Sequence, residues 1–443
     1  MSQKCVLAIA GSDSGGAAGI AADLITLAAC GVHGTCAITA VTAQSTLGVE
    51  HIFPVPPESV GKQIDAVVKD MNVKWAKTGM LWDRETVVLV RKKITANDLG
   101  TVVDPVTTSA TGHQLIKDSA IDEILKLISI SNIVTPNIAE AERLSGIKIR
   151  SISDMKNAGK ELLGTGARAV LVKGGHAGGK YVTDLLCTRK EVIEFRDVKL
   201  TSEVLHGTGC SLSSAIAAGL AKGHDIKRAV IEARNFIRSA ITMRTALGRG
   251  VVPINPLGEI MLMAEKGRCL EEVGRAAELL VDSGTFTVLI PEVGSNITMA
   301  LPGAMYPSDV VGLSGRIIRS GKKPHLGGIP KLGGSGHMAR VVLAAMKHDP
   351  DIRSGMNIRY SEDVVKVCKK MGLTVSYFDR RREPRGVNTM EWGTSEAIKK
   401  IGRVPDVIYD MGGEGKEAMI RILGKSALEV AGMALKIAER VED

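Results

Sequence analysis

Short apolar runs bounded by Gly, Pro, Asp or Asn recur through the first half of the chain. They read CVLAIAG (5–11), GTCAITAVTA (34–43), VKWAKTGML (73–81), TVVDPV (101–106), SNIVTPN (131–137) and AVLVKGG (169–175). Between them lie segments of helical character, DAVVKDM (65–71), ETVVLVRKKITAND (85–98) and AIDEILKLIS (120–129). Strands that are apolar throughout and alternate with helices predict a mainly parallel sheet covered on both faces, a three-layer α/β/α arrangement. In such sheets ligands gather at the carboxyl ends of the strands. Here the polar and glycine-rich motifs all follow the strand-like runs.

The pattern restarts further on. A helical stretch at 227–247 leads into GRGVVPINPLG (248–258), whose glycines and prolines mark a connection. A long helical segment then opens at 259, and FTVLIP (286–291), DVVGLSGRIIRSGK (309–322), SGMNIRYS (354–361), TVSYFD (374–379) and VPDVIYDMG (404–412) read as further strands. The expectation is a first α/β domain over 1–250, a linker over 251–258 and a separate α/β domain over 259–443. A length of 443 residues agrees with two or three domains.

Composition narrows the partners. The formal net charge is +9, yet aromatic residues make up only 3%, too few for a base-stacking platform. Basic residues are dispersed except for DRRREP at 379–384. Small phosphorylated metabolites therefore fit better than nucleic acid. No apolar run reaches the roughly 20 residues that span a bilayer, and the first short run passes into an acidic, glycine-rich stretch unlike a signal peptide. The seven cysteines form no CxxC pair, so reduced thiols and a cytoplasmic location are expected.

Candidate chemistry clusters after the strands. HGTGC (206–210) places Cys210 where a glycine turn becomes a small-residue helix, whose N-terminal N–H groups suit an anion. A buried structural cysteine is the alternative. Asp23 follows the first glycine-rich loop, and Asp104 sits in VVDPV. Asn137 and Glu140 are spaced i, i+3, a pair able to position hydrated Mg²⁺, and Lys173 ends a strand within reach of a nucleotide phosphate.

These motifs, GSDSGGAAGIAADL, VTAQSTLGV, KTGML, VVDPV, TPNIAEAE, LVKGGH and HGTGCSLSSAIAAGLAKG, occur in order over about 250 residues. The first half resembles the hydroxymethylpyrimidine and hydroxymethylpyrimidine-phosphate kinases of thiamine synthesis, members of the ribokinase-like superfamily. The resemblance implies that ATP with Mg²⁺ phosphorylates the hydroxymethyl group and then the resulting phosphate, in a homodimer. It implies that Asp23 and Gln44 recognise the pyrimidine with Met80 packed nearby. Asp104, Asn137 and Glu140 would serve the metal, Lys173 the ATP, and Gly207, Thr208 and Gly209 an anion hole. Cys210 stands where most of the superfamily carries a catalytic Asp. A thiol at a helix N-terminus is expected to have a lowered pKa and to act as general base. Ala21, Ser45 and Thr107 depart from the commonest family pattern, which leaves open fine substrate preference, including a pyridoxal-type ring.

In the second half, SGRIIRSGKKPHLGGIPKLGGSGHMARVVLAAMK (314–347) puts a GGSG loop before a helix beginning near His337, again suited to phosphate. Arg316 and Arg319, at i, i+3, are expected to add bidentate contacts. DRRREP reads as a solvated face, and GGEGKE (412–417) as a glycine-rich loop before a helix. IPEVGSNI, GGIPKLGGSGHMARVVLAAM, MNIRYSEDVV and PDVIYDMGGEGKEAMI resemble the ThiN-type thiamine phosphate synthase domain. That implies condensation of hydroxymethylpyrimidine diphosphate with thiazole phosphate, with Arg316 and His337 stabilising or protonating the departing pyrophosphate. The competing reading is a ligand-sensing domain without catalysis.

Overall fold

The computed structural model describes residues 3–175, 180–384, 386–413 and 415–442, and His176 of the KGGH motif and Glu414 of GGEGKE lie outside them. The chain divides into two compact units, Met1–Ile260 and Met261–Asp443.

The first unit is built on an eight-stranded sheet. Its order is Val192–Val198, Tyr181–Thr188, Ala169–Val172, Ile133–Val134, Gly100–Val103, Trp75–Thr78, Cys5–Ala10, His33–Ile38. The six strands from Ala169–Val172 to His33–Ile38 run parallel, and the hairpin 181–198 closes one edge antiparallel. The apolar runs have no polar alternation because both faces are covered. Leu7, Val170 and Val172 enter one core with helices Pro57–Asp70, Arg84–Ala96 and Ile152–Gly164, while Val6, Ala169 and Leu171 enter the other with Thr208–Ala221 and Ile226–Thr242. Fully burying each such Val, Leu or Ile contributes about 1.5–3 kcal/mol.

One expectation changes here. GTCAITAVTA divides into His33–Ile38, within the main sheet, and Ala40–Ser45, which pairs with Gly48–Pro54 as a separate two-stranded ribbon. The hairpin 181–198 had no sequence assignment.

The second unit carries a seven-stranded sheet in the order Pro330–Leu332, Val310–Leu313, Ile297–Ala300, Ser354–Arg359, Met419–Gly424, Val407–Asp410, Val375–Tyr377. All pairings are antiparallel except the last. Helices Gly258–Asp282, Glu362–Lys370 and Ala427–Glu442 cover one face, and Gly336–Met346 with Thr389–Ile401 the other. FTVLIP is a 3₁₀ turn, Thr285–Leu289, and not a strand; its apolar side chains Phe286 and Leu289 are buried against the sheet, which explains the misleading pattern. DVVGLSGRIIRSGK breaks into Val310–Leu313 and Ile317–Ser320, and the second piece pairs with Lys323–Leu326 in a small hairpin. GGEGKE joins two strands and does not precede a helix.

Candidate functional site

In the first unit the loop after Cys5–Ala10 wraps around one carboxylate. Asp13 accepts hydrogen bonds from the amides of Gly15 (2.8 Å), Ala17 (3.1 Å) and Ala18 (2.8 Å), and lies 3.3 Å from His206 Nε2. Burial opposes its charge, but the bonds from His206, Gly15 and Ala18 outweigh this and hold the carboxyl below its ordinary value. The loop also clamps against the HGTGC turn. Gly207 has φ 87°, and a Cβ there would lie 2.0 Å from the Ala17 carbonyl oxygen; Gly19, at φ 55°, would meet Gly11 O at 2.3 Å. Only glycine permits this backbone-on-backbone approach.

Helix Thr208–Ala221 starts at Gly207 without a side-chain cap and with no acidic residue in its first turn. Its first amides therefore remain available to an anion. Beside them, Lys173 Nζ lies 3.1 Å from Asp104 Oδ1, and Asp104 also accepts from Thr135 (3.2 Å) and Ser213 (3.3 Å). A Cβ on Gly209 would lie 3.3 Å from Lys173 Nζ and 3.6 Å from Asp104, so the turn, the lysine and the acid share one spot at the strand ends.

Asn137 and Glu140 form a reciprocal capping box on helix Ile138–Ser145. Asn137 Oδ1 accepts from the Glu140 amide (2.9 Å), and Glu140 accepts from the Asn137 amide (2.8 Å). The Asn137 side-chain oxygen thus also caps the helix, which amends the part expected of it from the sequence. Glu140 is buried. Desolvation raises its pKa to about 7, with Lys173 opposing and Asp104 adding to the rise.

Asp23 requires a second correction. It is 0% exposed, and its carboxylate holds Lys77 Nζ at 2.8 and 2.9 Å and Ser214 Oγ at 2.8 Å. Lys77 is equally buried; burial disfavours its charge, but Asp23 prevails and keeps the ammonium protonated. Asp23 therefore braces the interior and does not face a substrate ring. Cys210 is the third correction. Burial pushes its thiol up to about 11, Asp23 and Asp104 add to this, and Lys77 with the Gly19 amide only partly offset it. The helix dipole seen in the sequence is overridden by desolvation.

Gln44 is half-buried, its Nε2 2.9 Å from His206 Nε2, and Met80 is buried with its sulfur beside Gly11. Asp13, His206 and Lys77 were missed as site residues. Each stands inside a quoted motif, but its partner lies tens or hundreds of residues away.

In the second unit a pocket of about 660 Å³ opens where strand ends meet the N-terminus of helix Gly336–Met346. Ser335 occupies the N-cap position without a side-chain capping bond, leaving the helix amides open. Arg316 and His337 both line this pocket. Arg316 is tethered to the Val293 carbonyl, on a loop fixed by Asn296, whose side chain donates to Leu313 O (2.9 Å) and Gly315 O (3.0 Å). Arg319 instead donates to Thr287 O, so the expected Arg316–Arg319 fork does not form; in an extended strand i and i+3 face opposite sides.

Sequence reading missed Arg340, Arg380, Lys416 and Arg421, which line the same pocket. Arg380 belongs to DRRREP, so one member of that cluster turns inward. Among the described residues, Glu417 is the acid on the wall, and its oxygens accept the amides of Glu292 and Val293. Burial, followed by Arg340, Arg316, Arg421 and Arg380, holds the pKa of His337 below its ordinary value.

Among the described residues, no group of three or more His, Cys, Asp or Glu is arranged to hold a metal by itself, and no helix is long and apolar enough to cross a membrane.

A family profile described as phosphomethylpyrimidine kinase matches residues 13–255, and one described as thiamine-phosphate synthase ThiN matches 272–436. The bifunctional thiamine biosynthesis protein ThiDN of Methanocaldococcus jannaschii is 35% identical over 432 residues, 96% of each chain. A hydroxymethylpyrimidine/phosphomethylpyrimidine kinase of Streptomyces coelicolor is 41% identical over 251 residues, 56% of this chain and 93% of that one. An ADP complex of Bacillus subtilis pyridoxal kinase matches with a TM-score of 0.55 and 30% identity, over 59% of this chain and 100% of that one. The first unit thus has the ribokinase-like fold and belongs to a kinase family. With full-length similarity to one relative and a profile match in each unit, the chain belongs to the bifunctional thiamine biosynthesis enzymes that join a phosphomethylpyrimidine kinase to a ThiN-type thiamine-phosphate synthase.

Proposed function

We propose that the strand-end site around Asp104, Lys173 and the Gly207–Cys210 turn transfers phosphate from ATP, first to hydroxymethylpyrimidine and then to its phosphate. The convergence of one lysine, two buried carboxylates and an uncapped helix N-terminus carries this reading. Lys173 balances the nucleotide phosphates, and the amides of Thr208, Gly209 and Cys210 receive the charge on the transferring group. Gln44 and Met80 contact the ring.

Asp104 and Glu140 fit Mg²⁺, which takes one or two carboxylates and otherwise keeps water and phosphate oxygens. Burial raises the pKa of Glu140, with Asp104 adding to the rise and Lys173 opposing it, so a cation beside these two acids would favour their charged forms. When bound, Mg²⁺ would neutralise charge on the triphosphate. A neutral Cys210 shifts the burden from base catalysis to positioning and charge neutralisation, as a loose phosphoryl-transfer transition state allows.

The second unit's pocket would hold the resulting diphosphate against thiazole phosphate. Arg316, a ring N–H of His337 and the amides at Gly336 stabilise departing pyrophosphate. We further read the chain as a cytoplasmic homodimer, with kinase at 1–250 and synthase at 259–443.

One coupled reaction tests this. Purified chain receives ATP, Mg²⁺ and hydroxymethylpyrimidine, with and without thiazole phosphate, and products are followed by mass spectrometry. Thiamine phosphate should appear only with thiazole phosphate. Arg316→Ala and His337→Ala should each lose that product while still making the diphosphate. Diphosphate accumulating in both tubes of the wild type would instead make the second unit a sensor.

A further inference from the structure

Asp410 ends strand Val407–Asp410 beneath the second unit's pocket and is 0% exposed. Every oxygen of its carboxylate is engaged. Oδ1 accepts from Arg380 Nε (2.5 Å) and the Gly412 amide (2.8 Å), and Oδ2 from Arg421 Nη1 (2.8 Å) and Arg380 Nη2 (3.3 Å). The two arginines come from separate segments, the turn Arg380–Arg382 and the strand Met419–Gly424. Arg421 is 2% exposed and lies over the Phe378 ring, 5.3 Å from its centroid. The neighbouring Arg381 is spent on Asp379, so Arg380 is the member of the triplet aimed at the pocket.

We propose that Asp410 is a positioning residue of the synthase: one buried carboxylate fixes Arg380 and Arg421 side by side on the wall that receives the substrate's diphosphate. The inference rests on reading this pocket as the synthase site. A guanidinium carries five N–H donors. Arg380 gives its Nε and Nη2 edge to Asp410, which leaves the Nη1 edge for the pocket. Unanchored, two adjacent guanidinium groups would repel one another and swing apart; bridged, they present a fixed pair matched to adjacent phosphoryl groups.

The alternative, that Asp410 merely balances charge, predicts the opposite sign. By Coulomb's law, removing an anion near an anion site should tighten anion binding. Loss of positioning should weaken it.

The experiment uses the full chain and inorganic pyrophosphate as probe, with binding measured calorimetrically and synthase kinetics run alongside. Asp410→Asn should bind pyrophosphate about tenfold more weakly and raise KM for the diphosphate about as much. KM for thiazole phosphate should stay within about twofold. Because Asp410→Asn leaves Arg421 buried without its counter-ion, it will also lower the melting temperature. Asp410→Asn/Arg421→Gln removes that orphan charge. It should regain melting temperature while pyrophosphate binding stays weak.

Pyrophosphate bound as tightly as by wild type, or tighter, in Asp410→Asn would overturn the proposal. So would a loss spread equally over both KM values that disappears when the double variant restores stability. Full synthase turnover in Arg316→Ala would overturn the underlying reading of the pocket, and the positioning role with it.

Discussion

The protonation of Cys210 can be measured directly. Its pKa of about 11 follows from burial beside Asp23 and Asp104. At pH 8 such a thiol is on the order of one part in a thousand thiolate, whereas an unfolded cysteine near 8.5 is roughly one-quarter thiolate. Since the thiolate is the reactive form, iodoacetamide should alkylate Cys210 about two hundredfold more slowly in the folded chain than in the same chain in urea. The rate is read from the Cys210 peptide by mass spectrometry, at pH 7, 8, 9 and 10 in short pulses. It should climb about tenfold per pH unit with no plateau below pH 10. Saturation by pH 7–8, at a rate near that of the unfolded chain, would refute the burial argument. It would restore a resting thiolate, and with it base catalysis as the dominant role of Cys210.

The ion pair beneath Cys210 gives a stability test. Asp23→Asn leaves Lys77 charged and buried, which costs about 3–5 kcal/mol and lowers the first unit's melting temperature by about 10 °C. Asp23→Leu/Lys77→Met should lose less than the single variant, and a single variant as stable as wild type would sink the bracing role. Glu140 yields a pH signature. Its folded pKa of about 7 lies above its unfolded value, so its contribution is fully present below pH ~4.3 and is lost as pH rises through ~7. Glu140→Gln should therefore melt with wild type at about pH 4 but about 10 °C higher at pH 8, while kinase turnover demands far more Mg²⁺. Equal melting at both pH values, or an unchanged Mg²⁺ requirement, would contradict the assignment.

The first unit's sheet was legible because strands buried on both faces, such as Val6–Ala10 and Ala169–Val172, are apolar at every position. The edge hairpin 181–198 was not, since Val192–Val198 is largely uncovered and carries Glu194, Arg196 and Asp197. Periodicity failed for FTVLIP because two buried side chains in a 3₁₀ turn mimic a short core strand. Two site positions were legible for a topological reason: parallel strands deliver the residues that follow them to one edge, so Asp104 and Lys173 had to meet, whereas the Gly207 turn follows Leu205–His206 in a separate two-stranded ribbon.

Charge state was illegible, because it depends on partners distant in sequence. A helix N-terminus suggested a thiolate at Cys210, yet burial decided the sign. An i, i+3 acid–amide pair suggested a metal site, yet the same spacing also makes the reciprocal capping box of a helix. DRRREP suggested a wet surface, yet Asp410, 30 residues on, draws Arg380 inward. The pairs that result share one form. Asp104 with Lys173, and Asp410 with Arg380 and Arg421, each set a buried acid against cations at the site. An unpaired cation there would be expensive to keep dehydrated, and a flexible one would have to be ordered anew for each anion. Prepaired cations avoid both costs. They can be drawn toward a phosphate without first being stripped of water, which is the requirement shared by a kinase and by an enzyme that expels pyrophosphate.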